Sequence, residues 1–108
     1  MIISCGLGIR AFNNEITPEI ERRMMETNYF GPILLAKSIL PYMRKCHQGT
    51  IVFISSIQGL LSIPGRSSYS AAKHALQGYC ESLRAEEAMN GIHILSVSPA
   101  YVKYVKMS

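Results

Sequence analysis

The 108-residue sequence is poor in the features that would place it in several functional classes. It has three cysteines, Cys5, Cys46 and Cys80, odd in number and far apart, which argues against a disulfide framework and against a clustered zinc site. No metal site is expected, and reduced thiols fit an intracellular protein. No apolar run approaches the roughly 20 residues of a membrane-spanning helix. Met1 to Gly8 lack the basic start and long apolar core of a signal peptide. The chain is therefore expected to carry no membrane segment. No Gly-x-Ser-x-Gly elbow is present, which speaks against a hydrolase built on Ser56 with Lys73 or His74. Excess charge is modest: the formal net charge is +4, and the only tight basic pairs are Arg22-Arg23 and Arg44-Lys45. Neither pair is interleaved with aromatics, so both read as solvated helix surface and no nucleic-acid partner is expected.

What is there is an alternation of helical and extended patterns, with no repeat and no linker. Met1 to Ser4 reads as a strand end, followed by a loop through Asn13 and Asn14. Thr17-Pro18-Glu19 predicts a helix start, with threonine as cap, proline at the first position and carboxylates in the first turn. The helical pattern runs to about Cys46, with a break expected near Pro32, a bend at Pro41 and a stop at Gln48-Gly49. Ile51 to Ile54 is a continuous apolar strand of the kind covered on both faces. Gly59 to Gly65 reads as a loop, and Ser67 or Ser68 is expected to cap a long helix that Asn90-Gly91 ends. Ile92 to Val97 alternates as a further strand, with Ile92, Ile94 and Ser96 on one side and His93, Leu95 and Val97 on the other. Pro99 follows it. Strands alternating with helices of this length predict an α/β fold with a parallel sheet.

The chemistry-bearing pattern is Tyr69 and Lys73, four residues apart in Ser-Ser-Tyr-Ser-Ala-Ala-Lys-His-Ala-Leu. Residues at this spacing share a helix face, so the ammonium can lie beside the phenol and favour its ionised form. A free phenol ionises near pH 10, and a neighbouring cation is a cheap way to make it a usable proton donor and acceptor near neutrality. Alone, the spacing is weak: a Tyr-x-x-x-Lys arises by chance in roughly one such sequence in four. Its setting strengthens it. Tyr69, Ala72, Lys73, Leu76, Cys80 and Leu83 recur at helical spacing and predict an inward stripe, with Glu81, Arg84 and Glu87 elsewhere. An inward lysine implies a cleft or a polar partner, because burying an isolated ammonium is costly. Ser55 and Ser56 close the apolar strand ahead of this helix. Ser55 reads as a cap of the strand end or turn, and His47 and His74 read as surface residues.

At these residues the chain resembles the short-chain dehydrogenase/reductase family, in its member-seven-like branch. The resemblance runs from about Gly6 to Ser98. It rests on Met25-Glu26-Thr27-Asn28-Tyr29-Phe30-Gly31-Pro32, on Gly49-Thr50-Ile51-Val52-Phe53-Ile54-Ser55-Ser56-Ile57-Gln58-Gly59, and on Tyr69 to Leu76, in the family's order and spacing. It implies a partial Rossmann-type, doubly wound parallel sheet over residues 1–108, limited to central strands and two long helices. It implies a catalytic tetrad of Asn28, Ser56, Tyr69 and Lys73, with NAD or NADP as cofactor and a carbonyl or secondary alcohol, of lipid-like character in this branch, as substrate. Tyr69 would pass the proton as hydride moves between the nicotinamide and the carbonyl carbon. Lys73 would bind the nicotinamide ribose, Ser56 would contact and polarise the substrate carbonyl, and Asn28 would hold a water in a proton relay while its side chain disturbs the local helix. Tyr69, Lys73, Pro99 and Val102 take the cofactor-contacting positions. The compartment implied is the cytoplasm or the endoplasmic reticulum, and the two long helices are surfaces the family uses for dimers.

A Rossmann-type site also needs a glycine-rich turn between a first strand and a first helix, so that backbone N–H groups can approach the pyrophosphate. This chain shows no such turn: Gly6-Leu7-Gly8 is the only close glycine pair near the start, and it follows the place where the family has an Asn-Asn-Ala-Gly element, not the phosphate loop. Here that element reads Ile3-Ser4-Cys5-Gly6. At the other end, Pro99-Ala100 stands in place of Pro-Gly, and Tyr104 falls at or near an expected threonine. Three expectations follow. The chain is a central piece of an oxidoreductase, the alternative being a truncated non-catalytic subunit that pairs through its long helices. By itself it binds NADPH or NADH too weakly to measure. Phe53 or its neighbours lie on an uncovered sheet face beside an unpaired edge, so the isolated chain is aggregation-prone or needs a partner.

Overall fold

The computed structural model describes residues 1–4, 11–54 and 64–98. Three parallel strands form one sheet in the order β1-β2-β3: β1 is Ile2–Ile3, β2 is Gly49–Ile54 and β3 is Ile92–Val97. Ile2 pairs with Val52, Ile3 with Phe53, and Ile51 with Ile94. Helices connect the strands: α1, Pro18–Met25, a π-helical turn, Glu26–Phe30, and α2, Gly31–Cys46, between β1 and β2; and α3, Ser67–Glu87, between β2 and β3. The α/β expectation holds.

Helix α1 begins as its sequence predicts. Thr17 is the cap, its Oγ1 accepts the Ile20 N–H at 3.3 Å, and Pro18 opens the helix. The break expected near Pro32 lies just ahead of it, in the π-helical turn, where the Gly31 N–H donates to the Glu26 carbonyl five residues back. Pro32 has no N–H to offer the Asn28 carbonyl, so the ladder must change register here. The stop comes one residue earlier than Gln48: His47 takes a left-handed conformation at φ 54, and the Gln48 N–H bonds the Met43 carbonyl. The expected serine cap of α3 is also displaced. Arg66 is the residue before the helix, and no side chain caps it. Gly91, at φ 73, lets the chain leave the end of α3, and a Cβ there would stand 2.4 Å from the His47 carbonyl oxygen.

The core forms on one face of the sheet. Ile3, Ile51, Phe53, Ile92 and Ile94 point from the strands into a cluster with Ile33, Ala36 and Leu40 of α2 and Leu76, Cys80 and Leu83 of α3. Tyr79 stands edge-on to Phe53 at 6.4 Å between ring centroids, and to Tyr29 at 6.5 Å, joining α3 to the sheet and to the π-helical turn. Of the expectation that Phe53 or its neighbours face the uncovered side, the neighbours are the part that holds: Phe53 is fully buried, while Val52 and Ile54 turn to the other face. The other face is the open one. Ile2, Leu95 and Val97 are exposed, and Val52 and Ile54 are half-buried. Side chains alternate across a strand, so the parity of the register sends Phe53 toward the helices and Val52 and Ile54 away from them.

Candidate active site

The α3 stripe read from the sequence is present. Ala72, Lys73, Leu76, Cys80 and Leu83 are buried, and Tyr69 is half-buried at its upper end. Glu87 departs from the expectation, because it is 3% exposed and continues the stripe one turn beyond Leu83. Its carboxylate accepts two hydrogen bonds from Arg44 Nε, at 2.9 and 3.1 Å, and one from Asn90 Nδ2 at 3.0 Å. The Arg44 guanidinium beside it, as hydrogen-bond donor, holds the Glu87 carboxyl below the usual carboxylate range, against the opposing effect of burial. A count in steps of four from Leu83 would have found Glu87; the partner on another helix could not be counted.

Lys73 is 3% exposed, and its Nζ lies 5.6 Å from the centroid of the Tyr69 ring. The i,i+4 spacing brings these two groups together as expected, on the same face and at the edge of the core. Arg66 adds a second cation, its Cζ 4.9 Å from the same centroid. Ser68, next to Tyr69, is buried and donates its hydroxyl to Glu21 of α1. Sequence periodicity did not single out Arg66 or Glu21, because their contacts lie before the helix and across to another one.

Asn28 sits fully buried in the middle of the π-helical turn, and this turn packs against α3. Its Nδ2 donates to the Met24 carbonyl at 3.0 Å, the acceptor that its own backbone N–H would take in a regular α-helix. This is the local disturbance expected of an asparagine side chain competing with the backbone. Ser56, Pro99 and Val102 lie outside the described residues, as does Ser55. His74 is exposed, with its Nδ1 2.7 Å from the Ser70 carbonyl, and His47 is exposed at the end of α2.

Of the two described cysteines, Cys46 is exposed and Cys80 lies on the buried stripe of α3. Cys80 is buried among Leu76, Leu83 and the strand residues, and burial pushes its thiol up to about 11. Among the described residues no group of three or more His, Cys, Asp or Glu side chains forms a metal-binding cluster. Also among the described residues, no helix is long and apolar enough to cross a membrane. A buried ammonium beside a half-buried phenol is a pairing that can donate hydrogen bonds and pass a proton.

Comparison with known proteins identifies the family and the fold. The sequence profile of the family described as short chain dehydrogenase matches residues 1–108. Dehydrogenase/reductase SDR family member 7B of Danio rerio is 52% identical over 103 residues, a stretch that covers 95% of this chain and 33% of that protein. The chain spans about a third of the length of the curated relatives it matches. A short-chain dehydrogenase from Streptomyces avermitilis superposes with a TM-score of 0.86 at 38% identity, over 91% of this chain and 37% of that one. A gluconate 5-dehydrogenase from Burkholderia cenocepacia, solved in complex with NADP and tartrate, superposes with a TM-score of 0.87 at 26% identity, over 93% of this chain and 40% of that one.

Proposed function

Because the chain belongs to the short-chain dehydrogenase family, we propose that it carries the proton-transfer centre of an NAD(P)-dependent oxidoreductase that interconverts a carbonyl and a secondary alcohol. The observation that carries this reading is the buried Lys73 ammonium beside the Tyr69 phenol. The chemistry that a bound nicotinamide cofactor would supply is the donation or acceptance of hydride at the carbonyl carbon. Tyr69 gives its phenolic proton to the carbonyl oxygen in reduction and recovers it in oxidation. Lys73 donates hydrogen bonds to ribose hydroxyls and stabilises the negative charge that develops on the Tyr69 oxygen. Ser56 donates to the substrate oxygen from a second direction. Asn28 holds a water through which Tyr69 and Lys73 recover the proton. Pro99 and Val102, which follow β3 in the sequence, would help hold the cofactor, and residues 1–108 would form part of one NAD(P)-binding domain. The lipid-like class of substrate is the branch's contribution to this reading.

The test exchanges these 108 residues for the matching stretch of the Danio rerio relative and follows NADPH oxidation with a panel of carbonyl compounds. Tyr69→Phe is expected to lower turnover by at least about 10²-fold while NADPH still binds, because only the transferable proton is lost. Turnover unchanged by Tyr69→Phe would remove this residue from the mechanism.

A second reading, two copies pairing through α2 and α3 without turnover, is favoured by exposed apolar residues on α2, where Leu34 is 63% and Tyr42 69% exposed. Light scattering on Leu34→Lys tests it: a dimer that persists with this charge in its contact removes α2 from the interface.

A further inference from the structure

The start of α3 carries a device that the four proposed site residues do not use. Arg66 immediately precedes the helix and supplies no side-chain cap. Its carbonyl accepts the Ser70 N–H at 2.8 Å, closing the first helical turn around Tyr69. Its guanidinium lies over the Tyr69 ring, with Cζ 4.9 Å from the centroid. One residue before the tyrosine, the Ser68 hydroxyl donates to Glu21, which ties the same turn to α1. The backbone that carries the phenol is thus held by Glu21 and Ser68, and Arg66 lies over the ring itself.

Tyr69 stands half-buried in the first turn of α3. A guanidinium held over the ring face limits its swing and keeps the hydroxyl on one heading. Lys73 is a point charge on a flexible stem, and it offers no flat surface that performs this task. We propose that Arg66 is a positioning residue for the Tyr69 phenol, holding the hydroxyl in the orientation from which its proton is passed. The inference rests on the role proposed above for Tyr69 and adds a group outside the tetrad.

In the chimaera with the Danio rerio relative, Arg66→Met is expected to lower kcat by about two- to thirty-fold, the range one cation–π contact supports. KM for NADPH and the melting temperature should stay at their starting values, and Arg66→Lys should recover only part of the loss. An unchanged kcat overturns the proposal, and so does a loss that a lower melting temperature accompanies in proportion. A second measurement uses the same chimaera labelled with fluorotyrosine, in which the fluorine resonance of Tyr69 is identified by its absence in Tyr69→Phe. That resonance is expected to move and broaden in Arg66→Met; if it stays in place, Arg66 does not hold the ring. Full turnover by the Tyr69→Phe chimaera instead sinks the proposed role of the tyrosine, and the fluorine resonance then decides the Arg66 contact separately.

Discussion

The two faces of the sheet are built from the same three strands, yet they live in different surroundings. On one face Ile3, Ile51, Phe53, Ile92 and Ile94 are buried under α2 and α3; on the other Ile2, Leu95 and Val97 are exposed and Val52 and Ile54 are half-buried. Both sets are β-branched or large and apolar, so hydrophobicity alone does not distinguish them. What differs is which set the helices reach. A strand rich in apolar residues on both faces therefore reports that two coverings are compatible with it, while the connections decide which one this chain supplies.

That contrast can be broken most sharply at Phe53. Phe53→Ala is expected to cost about 3–5 kcal/mol, measured by urea unfolding, because a fully buried ring and its contact with Tyr79 are lost together. The paired change Leu95→Thr and Val97→Thr, on the open face, is expected to shift stability by no more than about 0.5 kcal/mol. Equal costs on the two faces would mean that a covering reaches the open face in solution. The same pair is expected to reduce self-association in sedimentation, since it removes apolar surface beside the edge strand β3.

A smaller effect sharpens the covered face through its helices. Glu87 of α3 holds Arg44 of α2, and the carboxyl is held below its ordinary value by that hydrogen-bonded partner. A depressed carboxyl contributes stability above the unfolded value of about 4.3, and the contribution is lost as pH falls further through the folded value. Melting curves of the parent and of Glu87→Gln should therefore differ above about pH 4.3 and converge in acid. A constant gap across that range would assign the effect to packing, not to charge. The exposed Arg44 end keeps the effect modest, because the pair is partly screened by solvent.

The smallest effect is chemical. Cys46 is exposed and Cys80 is buried, with its thiol raised to about 11. A maleimide at mildly alkaline pH should label Cys46 and leave Cys80 unmodified, which mass spectrometry of the peptides reads directly. Labelling of Cys80 without unfolding would show that the covered face opens.

Much of the arrangement was legible in the residues. Thr17-Pro18 marked the start of α1, and the spacing of Tyr69, Ala72, Lys73, Leu76, Cys80 and Leu83 marked the inward stripe of α3, because local caps and the 3.6-residue period act within one element. The motif around Asn28 marked the place where the helix departs from regularity. The misses share one cause: the choice between Phe53 and its neighbours for the open face was left undecided, Glu87 was expected off the stripe, and a serine was expected at the head of α3. Each depended on a partner distant in sequence, namely the side of the sheet the helices occupy, Arg44 on α2, and Glu21 on α1.

The sequence by itself determined the alternation of strands and helices, the pairing of Tyr69 with Lys73 on one helix face, and the family to which the chain is similar. These follow from backbone periodicity and from side chains a few residues apart. Only the tertiary structure decided which sheet face is covered, that Glu87 is buried against Arg44, and that Arg66 rests on the Tyr69 ring. The physical reason is that burial is a property of packed elements: a residue's pattern offers a face, and the element that docks against it settles whether that face is core or surface.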